Sequence, residues 1–177
     1  MSIREIVDAV IKYGCPKVTI TGGEPLLQKE IMELLFQLWV NHITTSHGIA
    51  AITIETNGTI KLTTKAPPKY PISFPAGYGI HYVVDYKLPS AGLNPDQINK
   101  VKYTSLRDTD WIKFVIADRN DFDLAKQFIK EAPLQARLAM SCVHDFLAPK
   151  VLMDWILQDN LWNVTLNLQL HKYIGAP

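Results

Sequence analysis

Cysteine is scarce in this chain, with two residues, Cys15 and Cys142, among 177. They stand far apart and in no C-x2-C or other metal-ligand spacing. That excludes a disulfide framework or a zinc-finger pattern and predicts two buried free thiols in a reducing cytosol. An excess of charge of one sign is also missing: 18 Lys and Arg face 17 Asp and Glu, a net charge of +1. No broad attraction to nucleic acid or to a membrane surface is therefore expected. No apolar run approaches the ~20 residues that cross a bilayer. The N-terminus lacks the basic-then-apolar order of a signal peptide, so the cytoplasm is the expected compartment. Internal repeats, low-complexity tracts and a linker between domains are absent as well. What remains is a globular balance, 47% apolar and 20% charged. Residues 1–177 read as one domain able to bury a sizeable core.

Ser2-Ile3-Arg4-Glu5 is a capping box, followed by Ile3, Ile6, Val7, Val10 and Ile11 at helical spacing and by Gly14 as the stop. Lys17 to Thr21 reads as a short strand buried on both faces. Pro25 then opens a helix that carries Leu26, Leu27, Ile31, Leu34, Leu35 and Leu38. Further strands are expected at 50–56, 80–86, 111–117, 137–141 and 165–170. Helices are expected at 121–131, capped by Asn120 or Asp121, and at 149–158, with a shorter one within 94–106. Residues 59–79, with four prolines, read as a long loop. Phe36, Trp39, Trp155 and Trp162 are read as core. Strands alternating with helices define an α/β fold with a mostly parallel sheet.

In such a sheet, ligands gather at the C-terminal ends of the strands. The unusual polar residues fall there. Thr21-Gly22-Gly23-Glu24 follows the first strand and Glu55-Thr56-Asn57-Gly58 the second. Asp85-Tyr86-Lys87 and Ser90 follow the third, Ser141-Cys142-Val143-His144 the fifth, and Gln169, His171 and Lys172 close the sixth. These clusters are expected on one rim. At Gly22-Gly23 the backbone can approach the charged end of a ligand, and Glu24 or its neighbouring carbonyls can accept from an ammonium. Asp85 and Lys87 share one side of an extended segment, where they flank a ribose or carboxylate or simply pair with each other. Gln169, His171 and Tyr173 alternate onto one face. His144 and His171 are candidate donors or proton relays, while His42, His47 and His81 receive no role.

With these residues in hand, the chain resembles the 7-carboxy-7-deazaguanine synthase family, radical S-adenosylmethionine (SAM) enzymes of queuosine biosynthesis. The resemblance rests on V-T-I-T-G-G-E-P from Val18, I-E-T-N-G-T from Ile54 and V-D-Y-K-L-P-S-A-G from Val84. It rests also on K-F-V-I from Lys113 and L-N-L-Q-L-H-K-Y-I from Leu166. The first motif marks the superfamily; the third and last narrow it. The resemblance implies an incomplete (β/α) partial barrel, a homodimer and a lyase. The reaction implied is ring contraction of 6-carboxy-5,6,7,8-tetrahydropterin to 7-carboxy-7-deazaguanine with loss of ammonia. It implies a [4Fe-4S] cluster that reduces SAM to a hydrogen-abstracting 5′-deoxyadenosyl radical, with Mg2+ assisting. Carried over by position, Gly22, Gly23, Glu24, Asp85, Tyr86, Lys87, Ser141, Cys142, Val143 and His144 would hold SAM. Thr21, His171 and the carboxylate of Pro177 would meet the pterin.

Against that family the chain departs in three ways. The C-x3-C-x2-C cluster motif occurs nowhere in it, and the family's front end, about a fifth to a quarter of a typical enzyme of this kind, is expected to be missing. Without three thiolates no [4Fe-4S] cluster is held in the usual way, and no residue of the chain is assigned as catalytic or as a metal ligand. Cys142 stands where a proline is expected. Thr165 stands in place of an arginine, and Gly175-Ala176-Pro177 replace an aromatic-acidic ending. The expectation is a catalytically silent relative of the enzyme, the alternative a non-catalytic SAM- or nucleotide-binding remnant or subunit. An unrelated α/β enzyme using acid–base chemistry is disfavoured by the retained set of rim motifs.

Overall fold

In the computed structural model the described residues are 1–44, 51–60, 62, 79–92, 103–170 and 174–175. Among the described residues six strands form one parallel, unclosed sheet whose order follows the chain. The chain divides into two compact units. The first comprises Met1–Thr56 and Ile60–Val83, the second Asn57–Thr59 and Val84–Pro177.

In the first unit, helix α1 (Ile3–Tyr13) opens on the predicted capping box: the Glu5 amide donates to the Ser2 hydroxyl, the Ser2 amide donates to the Glu5 carboxylate, and Gly14 closes the helix in the left-handed region. Strand β1 (Lys17–Ile20) pairs in parallel with β2 (Ala51–Thr56), Lys17 opposite Ala51 and Ile20 opposite Ile54. Contrary to expectation, β1 is not buried on both faces. Lys17 and Thr19 are exposed while Val18 and Ile20 are half-buried. The strand stands at the end of the sheet order, with β2 as its partner among the described residues. The helix expected after Pro25 is two elements: a 3-10 turn over Pro25–Leu27 and helix α2 (Ile31–Thr44). Gln28 adopts extended backbone (ψ 123°), which ends the turn before an α-helix can propagate. Ile31, Leu35, Leu38 and Trp39 then bury one face of α2. Their spacing is that of a single apolar stripe, and each such side chain contributes roughly 1.5–3 kcal/mol by leaving water.

The second unit is built on the β-α-β-α-β run β4 (Trp111–Ile116), α3 (Arg119–Glu131), β5 (Arg137–Cys142), α4 (Pro149–Gln158) and β6 (Val164–Leu166). Strands β4, β5 and β6 pair in parallel, with Trp111 opposite Arg137 and Leu138 opposite Val164. Ile112, Phe114 and Ile116 of β4 are fully buried, as are Phe122 and Ala125 of α3 and Leu152 of α4. Strand β3 (Ile80–Tyr86) belongs by its first four residues to the first unit and by its last three to the second.

Several expectations are corrected here. The cap of α3 is Asp118, not Asn120 or Asp121, because the Asp118 carboxylate accepts from the Asp121 amide. The sixth strand ends at Leu166, short of the predicted 165–170. Trp162 is 73% exposed rather than core; it lies in the turn before β6, outside the apolar face of α4. Cys15, which follows the Gly14 cap, is exposed, and Cys142 is half-buried at the end of β5. The long loop lies mostly, and the helix predicted within 94–106 lies up to residue 102, outside the described residues. Tyr103–Ser105 form a 3-10 turn.

Candidate functional site

In the first unit, the chain leaves β1 through Thr21, Gly22 and Gly23, all exposed. Both glycines have positive φ, 96° and 55°. A Cβ added at either would meet no heavy atom within 4 Å. Packing therefore does not require glycine here. The backbone conformation does, and it leaves the peptide groups open to a ligand. Glu24 is buried, and its carboxylate is engaged. Its Oε1 accepts from the Leu26 amide at 3.0 Å, and the Thr56 hydroxyl donates to both oxygens at 2.9 Å. Glu24 thus caps the 3-10 turn and ties the end of β1 to the end of β2. Thr21 and Gly22 line a cleft of about 790 Å³ with Ile20, Pro25, Leu27 and Gln28.

In the second unit, three groups surround the segment 85–90. The ammonium of Lys87 lies 2.8 Å from Oδ2 of Asp85, an ion pair in which both side chains are about one-quarter exposed. The Tyr86 ring turns into an aromatic cluster, 4.4 Å from the Phe128 centroid, 5.2 Å from Tyr103 and 5.3 Å from Phe114. The buried Tyr103 hydroxyl donates to the Asp85 carbonyl at 3.0 Å. Burial, followed by the neighbouring Tyr86 and Asp85, pushes the Tyr103 phenol well above its ordinary range. Gly58 (φ 76°) lies against the same carbonyl, and a Cβ there would stand 2.8 Å from it. Farther on, the amide and hydroxyl of Ser90 both donate to the carboxylate of Asp121.

At the end of β5, Ser141 is fully buried and its hydroxyl has no hydrogen-bond partner among the described residues. Burial raises the pKa of the Cys142 thiol above its ordinary value, so it is no activated nucleophile. The Val143 amide donates to the Ile116 carbonyl at 2.9 Å. His144 is exposed, with Nδ1 3.0 Å from the Asp145 carboxylate. Cys142, His144, Asp145, Asn167 and Gln169 line a cleft of about 190 Å³. The candidate substrate residues His171 and Pro177 lie outside the described residues. Each unit thus brings predicted residues together: Thr21 to Glu24 with Thr56 in the first, Gly58 with Asp85, and Cys142 with His144 and Gln169, in the second.

Sequence reasoning missed Tyr103 altogether and took Asp121 for a cap. Asp121 had a faint signal, an acidic residue three positions after a capping aspartate; Tyr103 had none.

The residues present do not suit a [4Fe-4S] cluster. The two cysteines fall in different units, and the Cys15 thiol already donates to the Lys17 carbonyl at 3.3 Å. Among the described residues no group of three or more His, Cys, Asp or Glu is placed to hold a metal ion.

No protein-family model matches the chain. The crystal structure of QueE from Escherichia coli superposes with a TM-score of 0.57 at 17% identity, covering 96% of this chain and 64% of that one. That likeness and the open parallel sheet define the fold class, an α/β fold on a parallel, unclosed sheet. The sequence is 32% identical over 179 residues to a 7-carboxy-7-deazaguanine synthase of Clostridium acetobutylicum, an alignment taking in all of this chain and 74% of that protein. Its counterpart in Chlorobaculum tepidum is 30% identical over 181 residues, with the same coverage. The chain belongs to the 7-carboxy-7-deazaguanine synthase family.

Proposed function

We propose that the chain carries the SAM- and pterin-contacting residues of a 7-carboxy-7-deazaguanine synthase, acting on 6-carboxy-5,6,7,8-tetrahydropterin in queuosine biosynthesis. The observation that carries this reading is the Gly22-Gly23 turn, held open at positive φ with no packing reason for glycine, in a chain of that family. Gly22, Gly23 and Glu24, with Asp85, Tyr86, Lys87 and Ser141 to His144, are the proposed SAM contacts; Thr21, His171 and Pro177 are those of the substrate. Once cleaved, bound SAM would supply the hydrogen-abstracting group. The protein's own part is to orient it, with the open peptide groups at Gly22-Gly23 meeting the methionine end. Glu24 acts there through its fold, fixing the turn by its bonds to Leu26 and Thr56.

These 177 residues do not supply the three thiolates of the cluster, so by themselves they are proposed to bind SAM without cleaving it. A homodimer and the cytoplasm complete the proposal. The exposed end strand β1 supports the first and the free thiols of Cys15 and Cys142 the second. Magnesium is carried over from the family without a described ligand set.

The test is a SAM titration of the chain followed by backbone amide shifts, with changes expected at residues 22–24, 85–87 and 141–144. No shifts at millimolar-scale SAM would overturn the binding reading. Anaerobic reconstitution with iron and sulfide is expected to give no four-iron absorbance near 400 nm (about that wavelength). A stable cluster, or 7-carboxy-7-deazaguanine formed from the pterin with SAM and dithionite, would overturn the assignment of catalytic silence.

A further inference from the structure

Segment 85–90 is fastened at both ends by residues that the family resemblance does not mention. At its start the Tyr103 hydroxyl donates to the Asp85 carbonyl at 3.0 Å. At its end Asp121 accepts from the Ser90 amide (3.2 Å) and from the Ser90 hydroxyl. The same Asp121 carboxylate accepts from the Ala117 amide at 3.0 Å, one residue beyond β4. Asp121 therefore locks the chain leaving β3 to the chain leaving β4. It is fully buried and, among the described residues, has no cationic partner. Its charge is met by neutral donors at the first turn of α3, where the helix end favours an anion. Between the two fastenings sits the Asp85–Lys87 ion pair.

Asp110 makes the contrast. It is equally buried and directly precedes β4, at the opposite end of that strand from Asp121, and there it binds the Arg107 guanidinium and backbone amide. It stabilises the unit from the end of β4 opposite to Asp121.

We infer that Asp121 and Tyr103 are positioning residues, which set where the Asp85–Lys87 pair stands and thereby the affinity for SAM; this rests on the reading that residues 85–87 contact SAM. A ligand gripped by a charged pair is sensitive to displacements well under the length of a hydrogen bond. A carboxylate that holds two strand exits at once therefore acts on binding as well as on stability.

The experiment titrates SAM into the full chain and its variants, reading amide shifts of the folded protein, with denaturation curves measured in parallel. Asp121→Asn and Ser90→Ala are expected to weaken SAM roughly tenfold, the low end of what losing an outer-shell partner costs at metal sites. Tyr103→Phe is expected to weaken it by a smaller factor. Asp110→Asn is expected to lower stability at least as much and to leave SAM affinity unchanged. Wild-type affinity in both Asp121→Asn and Ser90→Ala, or equal weakening in Asp110→Asn, would overturn the inference. If Asp121→Asn does not fold, Ser90→Ala and Tyr103→Phe decide. A wild-type chain that gives no SAM shifts overturns the binding reading itself, and the inference with it, an outcome distinct from a variant that binds as well as the wild type.

Discussion

Replacing Gly58 by alanine tests how tightly the second unit closes around segment 85–90. Gly58 has φ 76°, where a side chain is strained. The added Cβ would stand 2.8 Å from the Asp85 carbonyl oxygen and 2.9 Å from the Tyr103 hydroxyl. Neither neighbour yields cheaply, since one is backbone and the other is the donor that bonds it. The left-handed conformation costs about 1–2 kcal/mol for a residue with a Cβ, the overpacking about 1–3, and the disturbed hydrogen bond about 1. Together these predict a loss of about 3–6 kcal/mol. Gly23→Ala is the control. Its φ is 55°, but its Cβ meets nothing within 4 Å, so it carries the conformational term alone, about 1–2 kcal/mol. Urea unfolding gives both numbers as midpoint shifts at unchanged slope. On a Tyr103→Phe background the penalty of Gly58→Ala is expected to shrink, because the hydroxyl in its way is gone. Equal midpoints for Gly58→Ala and Gly23→Ala, or strict additivity with Tyr103→Phe, would refute the reasoning.

Three further expectations follow from local geometry. Thr56→Val removes the hydroxyl that donates to both Glu24 oxygens and is expected to lower stability by about 1–3 kcal/mol in urea unfolding, because Glu24 stays buried. At α1, the Ser2 amide first and its hydroxyl second hold the Glu5 carboxyl below its ordinary pKa of 4.5. The folded value is depressed, so the cap's contribution is complete above pH 4.5 and is lost as pH falls through the lower folded value. A carbon-detected titration of Glu5 reads this directly, and Ser2→Ala should move the midpoint part of the way back. With a thiol-alkylating reagent at neutral pH, the exposed Cys15 is expected to react faster than Cys142, whose thiol is half-buried and raised in pKa. Peptide mass mapping over time checks the order, and faster labelling of Cys142 would contradict it.

Signals confined to one turn of chain were legible in the sequence. Ser2 and Glu5 announce their own helix, and strand 80–86 and helix 149–158 fall on their predicted residues. What was not legible depends on partners distant in sequence or on backbone that mimics another pattern. Leu26, Leu27 and Ile31 keep helical spacing through Gln28, whose extended backbone no periodicity reveals. The exposed side of β1 follows from its place in the sheet order, not from its apolar composition. Among the candidate site residues, the polar clusters at strand ends could be named, but not what engages them. That Glu24 is taken up by Thr56, 32 positions away, or Asp85 by Tyr103, 18 away, is a property of the folded chain.

The three carboxylates buried among the described residues show why the distinction matters for function. Asp110 shares its charge with Arg107, three residues earlier. That pair is local, and its cohesion would survive small movements of the surrounding chain. Glu24 is held by the Leu26 amide and by the hydroxyl of Thr56 from the next strand, and Asp121 by two amides and a hydroxyl. A carboxylate that accepts from donors on separate segments keeps those bonds only while the segments stay in register, since each hydrogen bond weakens steeply with angle and distance. Such groups couple the geometry of strand exits to the stability of the fold. Both of them stand where β1, β2, β3 and β4 release the chain into its candidate ligand-binding turns, and the ion-paired Asp110 stands at the other end of β4. The two carboxylates that tie separate segments together thus both stand at strand exits. Substitutions at Glu24 and Asp121 should therefore degrade ligand geometry before they unfold the chain, whereas Asp110 should do the reverse.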